Sequence, residues 1–266
     1  MHFSDDQLEN IRNEYQSIFV TYLELILDYS THSYSNLQAK EYAIHGFSRR
    51  LMTMARCAYN IFETLPPDRV DLPTREELSD AVINIQGFVI SAFGSVDNLA
   101  RIWVLERGLV KNDGSPIPDT WIGLRKQNEC VLGSFSEPFQ AYLDGCDLWF
   151  EYLANFRHAL AHRIPLYIPP YSVPQNRRAA YDNLSARIAD ALNRPDSAEH
   201  ERLEAEQKKL VTFIPWMTHS FVDESKLVFF HPQLLSDFIT IEELARKMLE
   251  ELDRWSGTGE TVGAPS

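Results

Sequence analysis

The chain has 266 residues, with 25 Lys and Arg against 38 Asp and Glu, and a formal net charge of −13 at pH 7. Hydrophobic residues make up 44% of it, enough to bury a core, which excludes a wholly disordered chain. The acidic balance argues against non-specific coating of nucleic acid, because the field of the whole molecule repels phosphate; a local basic site is still allowed. Cys57, Cys130 and Cys146 are far apart, which favours a reduced, cytoplasmic protein over a disulfide framework.

The N-terminus and the longest early uncharged run argue against secretion and membrane insertion. The start is acidic, with no short apolar segment after a basic end. Residues 81–96 are uncharged but contain Asn84 and Gln86, and they fall short of the ~20 apolar residues of a membrane span. We therefore expect a soluble chain with no membrane partner, in which this run is a helix buried on nearly all sides.

Helical periodicity dominates the first two thirds of the chain. Ser4 followed by Gln7 fits a capping box and predicts a first helix over residues 4–30. A second helix is predicted over residues 36–64, ended by the Pro-Pro pair that follows. Thr74 with Glu77 predicts the start of a long third helix, which the sequence continues to residue 105.

The middle of the chain is less regular until a helix that carries the main motif. Turn residues at 112–115 and a short helix near 121–128 are predicted first. Ser136, followed by Glu and Pro, predicts a helix start, and this helix runs to a stop before Pro165.

The last third is predicted to be a helical extension packed on the same domain. Residues 1–165 form the helical bundle and residues 166–256 the extension, so the predicted fold class is an all-α bundle with a small β-hairpin. His231 is expected to cap the last helix. The remaining elements are a proline-rich crossing (164–174), helices (175–192, 197–211 and 231–255), a hairpin (213–230) and a disordered tail (257–266).

One segment of the predicted helix before Pro165 combines an arginine with two histidines. Asn155 opens it, Arg157 and His158 follow, and His162 lies at the helix end. His158 and His162 are four residues apart and share a helix face. Arg157 and His162 are five apart, about 140° around an ideal helix, so their tips converge only across a groove or a dimer seam.

This segment resembles the signature of the HEPN family (higher eukaryotes and prokaryotes nucleotide-binding domain): an arginine, a polar residue, three or so further residues and a histidine. Residues 157–162 match that pattern, including a polar His158 after Arg157. The resemblance implies a bundle of four or five helices over residues 1–165. It also implies metal-independent endoribonuclease activity without a cofactor, a homodimer that pairs two motifs, and a role as a toxin or in phage defence. The resemblance further implies a protein partner, either an antitoxin or a nucleotidyltransferase.

The chemistry of the residues is compatible with that implication. A histidine titrates near neutral pH and can take a proton from a ribose 2′-OH or return one to the leaving oxygen. An arginine is always charged and suits the transition state at phosphorus. We therefore expect Arg157, His162 and His158 to be catalytic, with Arg157 and His162 as the pair and His158 orienting one of them. Asp97 and Asn155 are expected to be accessory residues, Asp97 by orienting Arg157.

A basic window surrounds the motif. Residues 152–181 contain four arginines and no Lys, Asp or Glu, with tyrosines interleaved. Positive charge with aromatic faces is typical of single-stranded RNA sites. The predicted RNA-binding residues are Arg163, Tyr167, Arg177 and Arg178.

Several plainer interpretations stay open. One such interpretation makes Arg157 a surface residue paired with Glu151 or Asp147, and another makes Asp97 a buried partner of Arg101. The two motif histidines are also spaced like zinc ligands, although the glutamate of the HExxH pattern is missing, and we predict no metal. The alternative function is a non-catalytic helical module that binds RNA or a protein.

Overall fold

The computed structural model describes residues 2–192, 197–220 and 227–257, and it is an all-α helical bundle with one small antiparallel strand pair. The predicted fold class is therefore confirmed. The first helix, α1 (Asp5–Thr31), begins at Ser4, whose hydroxyl accepts a hydrogen bond from the Gln7 N–H while the Gln7 side chain accepts one from the Ser4 N–H. This is the predicted capping box, and it satisfies two N–H groups that a helix start leaves free.

The second predicted helix is a continuous stretch of three elements. They are α2 (Leu37–Glu41), a π-helical segment (Tyr42–Phe47) and α3 (Ser48–Thr64). In the wide turn the Ser48 hydroxyl donates to the carbonyl of Ala43 at 2.9 Å. The periodicity predicted the stretch, whereas the wider π turn within it was not predicted.

The third helix, α4 (Arg75–Glu106), is the central helix of the bundle. It begins with the predicted Thr74–Glu77 capping box, and Gly108 takes a positive φ of 57° just beyond its end. Its length and composition also pass the test for a membrane span, and 72% of that apolar window is buried inside the protein. Burial on most sides is what the uncharged run at residues 81–96 predicted.

The helix predicted near 121–128 is wrong. Helical turns flank that stretch instead, as a 3₁₀ turn (Asp119–Trp121) before it and α5 (Glu129–Leu132) after it. A hydrogen bond from the Gly114 N–H to the carbonyl of Lys111 at 2.8 Å forms the turn predicted at 112–115.

The single helix predicted from Ser136 is two helices, α6 (Glu137–Gly145) and α7 (Asp147–His162), broken at Cys146. Ser136 does not cap α6 with its side chain, because its hydroxyl donates to Glu251 at 2.7 Å. The Ser136 hydroxyl, which the sequence predicted as the helix cap, therefore bonds to a carboxylate that is distant in sequence.

The last third of the chain contains more helix and the small sheet. Its elements are a 3₁₀ turn (Gln175–Arg177), α8 (Arg178–Leu192), α9 (Ser197–Lys208), β1 (Trp216–Met217), β2 (Val228–Phe229) and α10 (Phe230–Gly257). The strands pair antiparallel, with Trp216 opposite Phe229. The predicted hairpin turn and the predicted tail from residue 258 lie outside the described residues.

One hydrophobic core joins α10 to the N-terminal helices. The most extensive helix contact is between α3 and α4, and α10 packs against both α1 and α4. The Tyr29 hydroxyl of α1 donates to the carbonyl of Ala245 at 2.8 Å inside this core. His231 does not cap α10 as predicted, since its ring Nε2 donates to the carbonyl of Leu65 at the end of α3, at 2.6 Å.

Candidate functional site

The two motif histidines lie together on the last turns of α7. His158 and His162 are both exposed, and their ring centroids are 5.0 Å apart. One helical turn separates them, which is why they share a face. Neither ring forms a hydrogen bond or ion pair with the part of the chain that the structure describes. Both are therefore open to a ligand from solvent.

Arg157 is half-buried on another side of α7, against α4. Its guanidinium carbon is 5.4 Å from the centroid of the Phe93 ring. It forms no ion pair with Glu151 or Asp147, and Asp147 pairs with Lys126 instead. The plain surface-pair interpretation of Arg157 is therefore wrong.

Phe93 carries a second arginine as well. The guanidinium carbon of Arg125 is 5.8 Å from the same ring centroid. Cation–π attraction explains how two like charges can share one ring, and it holds both side chains without neutralising them. Two positively charged guanidinium groups are therefore held on one ring next to the motif.

Asp97 lies one turn beyond Phe93 on α4 and is half-buried. Burial raises the pKa of Asp97, and four nearby arginines oppose that increase, in the order Arg125, Arg101, Arg50 and Arg157. Asp97 forms no ion pair within 4 Å among the described residues. One carboxylate thus faces four guanidinium groups, and Arg157 is one of them.

The interpretation of Asp97 as the ion-pair partner of Arg101 is wrong. Arg101 pairs with Asp119 at 2.9 Å and stacks over the Tyr42 ring at 5.7 Å. Asp97 is therefore shared by the cluster of Arg50, Arg101, Arg125 and Arg157, which we call the arginine cluster. Four guanidiniums with only Asp97 at their centre and Asp119 on Arg101 leave an excess of positive charge in a protein of net charge −13.

Asn155 and Arg163 contact each other. Arg163, at the C-terminal cap of α7, donates from Nη2 to the side-chain oxygen of Asn155. This bond fixes the end of the helix that carries His162. It gives Asn155 a structural role beside the motif.

The other predicted RNA-binding residues lie on different elements and have partners of their own. Tyr167 pairs through its backbone with Thr218, in both directions, at 3.0 and 3.1 Å. Arg177 donates to the carbonyl of Lys209 at 3.2 Å, and Arg178 forms an ion pair with Asp182 at 3.3 Å. The residues of the basic window therefore lie on several elements, each with its own partner, and do not form one continuous basic patch around the motif.

The arginine cluster was not predicted as a unit. Arg50 is on α3, Arg101 and Phe93 are on α4, and Arg125 follows the 3₁₀ turn at 119–121. No spacing in the sequence links these positions to the motif. In residues 2–192, 197–220 and 227–257, no group of three or more His, Cys, Asp or Glu side chains is arranged to hold a metal ion.

Comparison with models of protein families, with curated proteins and with solved structures gives no match for this chain. The site alone therefore carries the functional argument.

Proposed function

We propose that the protein is a metal-independent endoribonuclease of the HEPN type. The observation that carries the proposal is the Arg157 guanidinium, which has no hydrogen bond or ion pair among the described residues and is held over Phe93 near Asp97, on the same helix as two exposed histidines. An unpaired, partly desolvated arginine has free donors for a phosphate.

The reaction is an internal transfer at phosphorus. The ribose 2′-oxygen attacks the adjacent phosphorus, and a histidine accepts the 2′-OH proton. The bond from phosphorus to the 5′-oxygen breaks, and that oxygen takes a proton from a second acid. The products are a 2′,3′-cyclic phosphate and a 5′-OH end, while Arg157 stabilises the charge on the phosphoryl oxygens.

The geometry of one chain favours assembly of this site from two copies. Arg157 and His162 lie on different sides of α7, as their five-residue spacing requires, and they form no hydrogen bond to each other. A homodimer that apposes two α7 ends would bring Arg157 of one copy to His162 of the other. It would also supply separate histidines for the base and the acid.

The same separation favours a second candidate function. A chain that never apposes two motifs would bind RNA, or another protein, through the arginine cluster without cleaving it. This is the non-catalytic module, and it differs from the enzyme in one measurable property, the breakage of the RNA strand.

The test is cleavage of an end-labelled single-stranded RNA in EDTA. We expect the wild type to cut, and Arg157→Ala and His162→Ala each to lose at least about 100-fold in rate, the usual cost of removing an acid–base or charge-stabilising group. The downstream fragment should accept phosphate from polynucleotide kinase without prior phosphatase treatment, because its end is a 5′-OH.

Arg187→Ala and His200→Ala are the matched controls. Arg187 is on α8 and His200 is on α9, outside the motif helix α7, and both variants should cleave at the wild-type rate. Equal cleavage by all four variants would reject the site, and a wild type that binds RNA but leaves it intact would favour the module.

A further inference from the structure

The protein also has a groove that is lined by helices other than the motif helix α7. It has a volume of about 650 Å³ and is formed by the π-helical segment with parts of α2, α3 and α4. Polar side chains line most of it. Those used below are Glu41, Tyr42, His45, Arg49, Arg50 and Asn98.

The charge of this groove is positive where the protein as a whole is negative. Arg49 is exposed, and its guanidinium forms no hydrogen bond or ion pair with the described residues. The Nε of Arg50 donates to the Asn98 side-chain oxygen at 2.9 Å, and its two terminal nitrogens form no hydrogen bond with the residues that the structure describes. Against these two cations and His45, Glu41 is the one acidic residue in the lining.

The position of Arg50 depends on a glycine. A Cβ built at Gly94 would lie 2.2 Å from the Arg50 guanidinium carbon, so the side chain rests directly on the α4 backbone. Asn98 makes a similar close approach to Gly46 of the π-helical segment, where a Cβ would be 3.0 Å from the amide carbon. The two glycines allow α3, α4 and the π turn to approach closely enough to hold Arg50 in place.

Arg50 also belongs to the arginine cluster. It acts on Asp97 together with Arg157, while its own Nε faces Asn98 in the groove. On α4, Gly94 lies about 60° and Asn98 about 100° around the helix from Asp97, on the same side of it. The groove and the motif arginine are therefore neighbouring parts of one positive surface, with Arg50 between them.

We propose that this groove is a binding site for a nucleotide phosphate, held by Arg49 and Arg50. Two adjacent guanidiniums with free N–H groups suit a phosphate, and the half-buried ring of Tyr42 in the lining suits a stacked base. Two ligands present such a phosphate: an RNA strand, through a phosphodiester, and a free nucleoside monophosphate. If the ligand is an RNA strand, its cleavage near Arg157 rests on the proposed function.

Binding is measured in the His162→Ala background, so that cleavage cannot affect the result. The probes are a fluorescein-labelled 12-residue oligoribonucleotide, followed by anisotropy, and AMP, followed by calorimetry. We expect Arg49→Ala to weaken binding about tenfold and to reduce the salt dependence by about one counterion, since it removes one charged contact. Arg187→Ala removes the same charge elsewhere and should change affinity less than twofold.

A glycine pair tests the position of Arg50 without changing any charge. Gly94→Ala places a methyl where the Arg50 guanidinium now lies, and the flexible side chain must move away. We expect it to weaken binding by a factor similar to that of Arg49→Ala, with the melting temperature retained. Gly145→Ala is the control, because a Cβ there meets nothing within 4 Å.

The outcomes separate this proposal from the proposed function. Binding of RNA that depends on Arg49 and Gly94 supports the groove whether or not the wild type cleaves RNA. RNA binding without AMP binding identifies the strand as the source, and AMP binding that competes with RNA identifies the mononucleotide. Wild-type affinity in both groove variants, or no binding of either probe, would overturn the proposal.

Discussion

Two buried titratable residues of α10 have pKa values displaced in opposite directions. Burial lowers the pKa of His231 from 6.5 to about 4, so the ring is neutral at pH 7. Burial raises the pKa of Asp237 from 3.8 to about 6, against the effect of hydrogen bonds from Trp149 and Gln233. The folded protein therefore binds fewer protons than the unfolded chain at His231 and more at Asp237, over nearly the same pH range.

These two contributions to the pH dependence of stability oppose each other. His231 makes stability rise as the pH rises from about 4 to 6.5, whereas Asp237 makes it fall as the pH rises from 3.8 to about 6. Each contribution is on the order of 3 kcal/mol across its pH range. For the two together, we expect the free energy of unfolding to change little between pH 4 and 6.

Single substitutions should expose each contribution. In Asp237→Asn the remaining His231 should make stability increase from pH 4 to 6.5, and the amide oxygen can still accept from Trp149. In His231→Gln the remaining Asp237 should make stability decrease over the same range, and the amide can still donate to Leu65. Urea unfolding at several pH values measures both, and equal slopes in the two variants would contradict the assignment.

At the scale of elements, local chemistry predicted the ends of helices where the partners are near in sequence. The capping boxes at Ser4 and Thr74 formed as predicted, because each needs only a residue three positions on. Ser136 failed as a cap because Glu251, 115 positions away, takes its hydroxyl. A contact over that sequence distance cannot be predicted from the residues around Ser136.

The start of α4 combines a local cap with a distant arginine. Glu77 accepts from the Thr74 N–H at 2.6 Å and binds Arg69 through both carboxylate oxygens, at 2.8 and 2.9 Å. The Arg69 guanidinium, followed by the Thr74 backbone, lowers the pKa of Glu77 from 4.5 to about 2. The stabilisation is therefore present above pH 4.5 and is lost as the pH falls toward 2.

Glu77→Gln should reduce the free energy of unfolding by about 1 kcal/mol at pH 7, a value kept low because the carboxylate is partly exposed. The difference from the wild type should shrink as the pH falls from about 4.5 to about 2. Glu76→Gln is the matched control, since it removes an exposed charge from the same turn. A Glu77→Gln effect independent of pH would mean that shape, rather than charge, stabilises this helix start.

For the whole molecule, the sequence predicted the helical class and the motif helix but not the site around it. Hydrophobic periodicity and helix caps depend on residues that are close in sequence, whereas the arginine cluster depends on how α3, α4 and α7 pack. Phe93 gave no signal in the sequence, because an aromatic residue in an apolar run predicts core. Its function as a platform for Arg125 and Arg157 depends on the fold.

The single core makes a prediction about cooperativity. Phe238 of α10 is 1% exposed and belongs to the same core as α1, α3 and α4. Phe238→Ala should reduce the free energy of unfolding by about 3–5 kcal/mol, the usual cost of deleting a buried ring. Because α10 and the N-terminal helices share that core, we expect a single unfolding transition at a lower denaturant concentration, in which far-UV and near-UV circular dichroism coincide.

Leu192→Ala on α8, where Leu192 is 68% exposed, is the control and should leave the transition unchanged. Two separate transitions in Phe238→Ala would mean that the N-terminal helices fold without α10.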